Sequence, residues 1–157
     1  MSAKVYIETT VVSYLTARPN RDVVIAGHQQ TTHDWWRMCR DRFDLVASQL
    51  VVREARAGDP DAAQERLDVL ATMSLLEVSE EALTLARELL KAGAVPEQAA
   101  EDALHIAIAV TNGVEYLLTW NCKHLANATM RTTIEEVCRT AGYAPVVICT
   151  PEELLED

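Results

Sequence analysis

Short apolar runs alternate along this sequence with segments of helical periodicity, and this alternation constrains the fold more than any other feature. The runs that we predict as strands cover residues 4–7, 44–47, 75–78, 115–118 and 146–148. They are continuous rather than alternating, which is typical of strands covered on both faces of a sheet. Strands that alternate with helices form βαβ units with right-handed crossovers, so we predict an α/β fold with a mostly parallel central sheet.

Boundary residues place the helices between these strands. Asp22 is a suitable N-cap for the second helix, and Thr132 or Thr133 for the last one. Pro60 and Pro96 suit the first turn of a helix. The predicted helices cover residues 10–17, 22–43 with a bend near Gly27, 49–57, 60–71, 79–93, 96–112 and 132–142.

The composition indicates one globular domain that covers residues 1–157. No apolar run reaches the ~18 residues of a membrane-spanning helix, and residues 1–4 lead directly into the first strand, so we expect no signal peptide and a cytoplasmic location. The four cysteines have no CxxC spacing, which argues against a zinc site or a disulfide framework. A formal net charge of −10 argues against a uniformly basic nucleic-acid-binding surface, but it is compatible with a metal-loaded acidic pocket that acts on phosphates.

Acidic and amide side chains lie where the carboxyl edge of this sheet is expected. Glu8 ends the first strand, where a lone carboxylate needs a partner, and Asn121 follows the fourth. Glu54 lies on the helix after the second strand, and Asp102 in the second turn of the helix that begins at Pro96. Clustered carboxylates need a cation or a proton, and oxygen ligands favour Mg²⁺ or Mn²⁺. Such ions activate water and polarise phosphoryl oxygens, so the pattern predicts phosphodiester hydrolysis.

These pieces together resemble a known family. The resemblance rests on four pieces: residues 5–10 (VYIETT), Glu54, residues 102–107 (DALHIA), and residues 117–121 (LLTWN) followed by 123–125 (KHL). In these pieces the chain is similar to the PIN domain, close to the VapC-type toxin ribonucleases of prokaryotic toxin–antitoxin pairs. The resemblance extends over about residues 3–150, and the third piece is the most specific. It implies a three-layer α/β/α fold with strand order 3-2-1-4-5 and Mg²⁺- or Mn²⁺-dependent cleavage of RNA. It also implies a homodimer and a cognate antitoxin as partners.

The resemblance assigns roles to individual residues. Glu8, Glu54 and Asp102 match the three core acids that hold the metal, and Thr119 matches a small hydroxyl residue that hydrogen-bonds within the site. Asn121 occupies the position of a fourth acid. The first acid of the family is usually Asp, and the amide of Asn121 removes one charge. We therefore expect one firmly held metal ion rather than two.

Each of these residues also has a simpler interpretation. Glu54 has Arg53 and Arg56 as neighbours for a surface ion pair, and Asp102 is placed where a helix dipole stabilises an acid. We interpret His105 as a packed or hydrogen-bonded core residue rather than a metal ligand. A non-catalytic PIN-like binding module with an eroded site is the alternative function, and a phosphatase or DNA nuclease would use the same acids.

Candidate substrate contacts surround the predicted site. Arg18, Arg21 and Lys123 are candidate phosphate contacts, and plain surface charge explains them equally well. Trp120, next to Asn121, is the tryptophan expected to line the cleft and stack on a base. Trp35 and Trp36 point in different directions on one helix, so we expect packing roles, with only one of them in the core.

Overall fold

The computed structural model describes residues 2–155, so residue 1 and residues 156–157 of the predicted domain lie outside the described part. Its sheet has five strands, all parallel, in the order β3-β2-β1-β4-β5. This confirms the predicted fold class and strand order. The strands are β1 (Lys4–Ile7), β2 (Asp44–Ser48), β3 (Ser74–Leu76), β4 (Tyr116–Leu118) and β5 (Val147–Cys149).

Seven α-helices connect and flank the strands within residues 2–155. They are α1 (Thr9–Thr16), α2 (Val23–Cys39), α3 (Gln49–Ala55), α4 (Pro60–Leu70), α5 (Glu80–Lys91), α6 (Ala100–Thr111) and α7 (Ala128–Thr140). The second helix continues through Gly27 without interruption and ends at Cys39, where a 3₁₀ turn over Arg40–Arg42 replaces its predicted last turn.

Two helix starts differ from the prediction. The last helix begins at Ala128 rather than after Thr132 or Thr133, because Asn127 accepts hydrogen bonds from both the amide and the hydroxyl of Thr129 and is an equally good N-cap. The helix predicted from Pro96 begins with a 3₁₀ turn over Glu97–Ala99. Asp102 consequently lies in the first turn of α6, not in a second turn.

The core lies between the sheet and two groups of helices. Helix α1 packs against α2, α3 and α4, while α5 packs mainly against α6 and also against α7. The middle of β1 and the end of β4 are fully buried between these groups, including Tyr6 and Leu117. Coverage on both faces is the physical reason for the continuous apolar runs in the sequence. No helix within residues 2–155 is long and apolar enough to cross a bilayer.

The strand order places its switch point between β1 and β4. The chain moves from β1 to β2 and β3 in one direction across the sheet, and β4 and β5 lie on the other side of β1. Ligands of open α/β sheets bind at such a switch point, beyond the carboxyl ends of the strands. Ile7 is paired with Leu118 there, and the amide of Glu8 donates to the carbonyl of Leu118 at 3.1 Å. Glu8 and Thr119 therefore lie side by side at this edge.

Candidate active site

Glu8 is a buried carboxylate held by three hydrogen bonds. It has extended backbone angles and is the N-cap of α1, so its side chain accepts a bond from the amide of Thr10 at 3.2 Å. Its Oε1 also accepts from the hydroxyls of Thr10 at 2.5 Å and Thr119 at 2.6 Å. Only 4% of Glu8 is exposed, so these donors replace the water that a carboxylate loses on burial.

The two hydroxyls that contact Glu8 are themselves fixed by backbone amides. The amide of Trp120 donates to the Thr10 hydroxyl, and the amide of Asn121 donates to the Thr119 hydroxyl, each at 2.9 Å. A hydroxyl that accepts from an amide directs its own hydrogen elsewhere, and here that hydrogen points to Glu8. The loop after β4 thus fixes both hydroxyls that contact the acid at the end of β1.

Glu54 is held by a second, separate set of bonds. It lies on α3, and its Oε1 accepts from the hydroxyl of Thr9 at 2.5 Å and from Nε2 of His105 at 2.8 Å. Nδ1 of His105 lies 2.7 Å from the hydroxyl of Tyr6, which lies 2.7 Å from Oγ of Ser48. His105 is fully buried and bonded through both ring nitrogens, which confirms it as a hydrogen-bonded core residue.

The electrostatics of Glu54 reflect this environment. Burial by itself would raise its pKa, but the hydrogen bond and charge of His105, with the bond from Thr9, outweigh burial and hold the pKa at about 2. Its predicted surface partner Arg53 instead forms an ion pair with Glu101 at 3.3 Å. A hydrogen bond shared with Glu54, partial burial and the Glu54 charge raise the pKa of Glu101.

Glu101 is therefore an acid of this site that the sequence analysis did not single out. It lies beside Asp102 in the first turn of α6, and in the sequence the two are equally plausible as acids stabilised by the helix dipole. In the sequence, the only indication that Glu101 belongs to the site is its position directly before Asp102. Only the approach of α3 to α6 brings the Glu101 carboxyl close enough to Glu54 for Glu54 to raise its pKa.

Asp102 lies at the side of the site formed by the loop after β4. Burial raises its pKa, while the charges of His105 and His124 and a hydrogen bond from Asn121 lower it only in part. The amide oxygen of Asn121 accepts from the backbone of His124 at 3.1 Å. Asn121 therefore connects Asp102 to the turn that follows β4, with its oxygen directed into that turn.

Three of the side chains at this edge lie within reach of a single cation. One ligand atom each of Glu8, Glu54 and His105 lies within 4.8 Å of the others, and Asp102 is outside this closest group. Within residues 2–155, no lysine or arginine forms an ion pair with Glu8, Glu54 or Asp102. His105 can offset at most one of these three carboxylate charges. A divalent cation fits both the donor set and the uncompensated charge.

The candidate substrate residues have different environments. Arg18, Arg21 and Lys123 are exposed on loops, the first two between α1 and α2. Trp120 is only 8% exposed, its ring stacks on His28 with centroids 4.1 Å apart, and Nε1 donates to Thr32 at 2.8 Å. A stacking role for Trp120 on a base stays a prediction.

The adjacent tryptophans on α2 differ as expected. Trp35 is fully buried in the core, whereas Trp36 is half-buried with the guanidinium of Arg40 5.3 Å from its ring centre.

Comparison with solved structures identifies proteins of the same fold. A chain in the structure of VapBC2 from Rickettsia felis, bound to a DNA fragment from its promoter, matches with a TM-score of 0.61 and 14% identity over 94% of this chain and 98% of that one. VapC20 from Mycobacterium tuberculosis, a toxin that cleaves the sarcin–ricin loop, matches with a TM-score of 0.59 and 15% identity over 90% and 98%. No protein-family model and no curated protein matches the sequence. The similarity is one of fold, and it confirms the resemblance to VapC structures at that level.

Proposed function

We propose that this chain is a metal-dependent endoribonuclease that hydrolyses RNA phosphodiester bonds and acts as the toxin of a toxin–antitoxin pair. The observation that carries the proposal is the approach of the Glu8 and Glu54 carboxylates, with ligand atoms within 4.8 Å of each other at the β1–β4 switch point, and of Asp102, which is close enough for the Glu54 charge to raise its pKa. A bound cation would compensate the negative charge there. The fold shared with VapC20, a toxin that cleaves the sarcin–ricin loop, supports the substrate class.

Glu8, Glu54 and Asp102 would hold the ion, Mg²⁺ or Mn²⁺. A bound ion of this kind lowers the pKa of water and polarises a phosphoryl oxygen. With an amide rather than an acid at Asn121, the set holds one ion more firmly than a second. Calorimetric titration with Mn²⁺ tests this, and two tight sites would contradict it.

The surrounding residues position these acids. Thr119 and Thr10 fix Oε1 of Glu8, while Thr9 and His105 both bind Oε1 of Glu54. Side chains that are fixed in the folded protein thus hold each carboxylate through one of its oxygens. We propose that Asn121 acts through its hydrogen bond to Asp102.

The partners follow from the same proposal. Exposed Arg18, Arg21 and Lys123 would contact RNA phosphates near the acidic site, with Trp120 beside them. A cognate antitoxin and a second copy of the chain are the expected protein partners, in the cytoplasm. The alternative is a non-catalytic RNA- or protein-binding module. One observation favours it, since the Asn121 oxygen is already used by the His124 amide.

The test is digestion of RNA by the purified protein with Mn²⁺, beside samples with EDTA. Asp102→Asn should abolish cleavage, because it removes an anionic ligand from the site. Asp61→Asn is a matched control, since Asp61 also lies in the first turn of a helix but on exposed α4 surface. Cleavage that persists in EDTA and in Asp102→Asn would refute the mechanism. RNA binding without cleavage under any condition would favour the binding module.

A further inference from the structure

Three aromatic rings form a cluster next to the acidic site. Tyr14 comes from α1, His28 from α2 and Trp120 from the loop after β4. The rings of His28 and Trp120 are stacked, with centroids 4.1 Å apart and planes 11° apart. The Tyr14 ring lies 6.3 Å from each of them, at 28° and 33°. The His28 and Trp120 rings are therefore nearly parallel and the Tyr14 ring is tilted by about 30° from both. We refer to the three rings as the aromatic platform.

The platform is connected directly to Glu8. The amide of Trp120 donates to the hydroxyl of Thr10, which donates to Oε1 of Glu8. Thr10 and Tyr14 are four residues apart on α1, so they share a face of the helix, just over one turn or about 6 Å apart along its axis. The Tyr14 ring thus lies one helical turn beyond a residue that contacts the carboxylate.

The three rings differ in their access to solvent. Trp120 is 8% exposed and its Nε1 is bonded to Thr32, so it is the least accessible ring of the platform and is fixed in place. Tyr14 and His28 are half-buried. Within residues 2–155 the Tyr14 hydroxyl and the His28 ring nitrogens form no hydrogen bond and are not among the buried unpaired side-chain atoms, so they are at least partly open to solvent. Tyr14 and His28 are the members of the platform that an incoming molecule can contact.

The geometry points to Tyr14 and His28 as a stacking subsite for a nucleobase of single-stranded RNA whose phosphodiester lies at Glu8 and Glu54. This inference rests on the proposed function. Every base has a π-face, so stacking on aromatic side chains binds single strands with little sequence preference. A chain with a net charge of −10 gains little from general phosphate attraction. Contacts to bases would therefore add affinity beyond the few phosphate contacts that Arg18, Arg21 and Lys123 can supply.

The experiment separates base contacts from backbone contacts. Binding is measured by fluorescence anisotropy, in Ca²⁺, for a labelled single-stranded octaribonucleotide and for a fully abasic ribose-phosphate chain of the same length and charge. For the unmodified protein, we expect the octaribonucleotide to bind roughly tenfold more tightly than the abasic chain, the effect of about one stacked base. Tyr14→Leu and His28→Leu should each reduce that ratio to below about threefold, while Tyr14→Trp should preserve it.

Trp36→Leu is the control for loss of a half-buried aromatic ring. Trp36 lies near Asp44 and Ser74 at the opposite, amino edge of the sheet, so its replacement should leave the ratio unchanged. Thermal unfolding of each variant reports any loss of folded protein, and Tyr14→Trp keeps the test valid if Tyr14→Leu is unstable. An equal ratio in the unmodified protein and Tyr14→Leu would overturn the subsite.

Parallel Mn²⁺ cleavage assays on the same samples distinguish this inference from the proposed function. Cleavage without base-dependent binding overturns the subsite and leaves the nuclease proposal intact. Base-dependent binding that requires Tyr14, in a protein that cleaves no RNA, supports the subsite and overturns the nuclease. A protein that neither cleaves nor prefers the base-containing strand overturns both.

Discussion

Replacing Thr119 with valine tests whether the fold holds Glu8 as a charged carboxylate. Valine has nearly the same shape as threonine, but it lacks the hydroxyl that lies 2.6 Å from Oε1 of Glu8 and 2.9 Å from the amide of Asn121. Thr119 is fully buried, so water cannot take the place of the lost hydroxyl. Both the carboxylate and the amide would lose a partner.

The expected loss of stability follows from these two contacts. A hydrogen bond to a charged acceptor contributes about 1.5–3 kcal/mol, and an unpaired, partly buried amide costs about 1 kcal/mol more. The free energy of unfolding should therefore fall by about 3 kcal/mol. For a chain of 157 residues this corresponds to roughly 6–12 °C in Tm. Urea unfolding followed by circular dichroism measures the difference directly.

Thr32→Val is a close control for this substitution. Thr32 is also fully buried, accepts from Nε1 of Trp120 at 2.8 Å and donates at 2.6 Å, but its acceptor is the neutral carbonyl of His28. Its replacement should cost about 2 kcal/mol, because two neutral hydrogen bonds of about 1 kcal/mol each are lost. If Thr119→Val costs no more than Thr32→Val, Glu8 is not held as a charged acceptor, and the interpretation of this corner of the site is wrong.

Three further predictions concern the site and its surroundings. Asn121→Asp should tighten Mn²⁺ binding by roughly tenfold and lower the stability of the metal-free protein by about 1 kcal/mol, because it adds a second carboxylate next to Asp102. If calorimetry shows unchanged or weaker Mn²⁺ affinity, Asn121 does not contribute to the surroundings of the metal. The pKa of Glu54 is about 2 in the folded protein against 4.5 ordinarily, so its contribution to stability is complete above pH 4.5 and is lost as the pH falls towards 2. This contribution is at most about 3 kcal/mol before solvent screening. Urea titrations at several pH values should show that the free energy of unfolding falls less steeply with acid in Glu54→Gln than in the unmodified protein. Equal slopes in the two proteins would contradict this assignment. Cys122 is exposed and should react quickly with a thiol reagent in the folded protein at neutral pH. The other three cysteines are protected by burial, which also raises the pKa of Cys149 to about 12. Fast labelling of more than one thiol would refute the packing.

The sequence predicted the architecture well because each signal behind it is local. A continuous apolar run requires cover on both faces, and alternation with helices requires parallel strands, so the sheet follows from the pattern. The strand order came from the family resemblance. Helix boundaries were less certain, because Asn127 and Thr132 are both adequate caps, and the choice between them depends on where the chain leaves β4.

The candidate site was predictable in its location but not in its contacts. Glu8 and Asn121 follow strands of the sheet, so their edge could be inferred from the sequence alone. The partners of Glu54 could not, because Thr9, His105 and Glu101 come from distant parts of the chain. In the sequence, Arg53 is the nearest candidate partner of Glu54, but in the fold α6 brings His105 and Glu101 close to it.

The sequence by itself determined an α/β sheet with acids at one edge, because strand periodicity and residue type are properties of short segments. The tertiary structure decided which atoms satisfy each acid. It gave Glu8 two hydroxyls fixed by backbone amides and gave Glu54 a buried histidine. It also covered Trp120 with His28 and left Tyr14 beside the site. The physical reason is that hydrogen bonds and ring contacts act over a few ångströms, and only the packing of α1, α2 and α6 around β1 and β4 sets those distances.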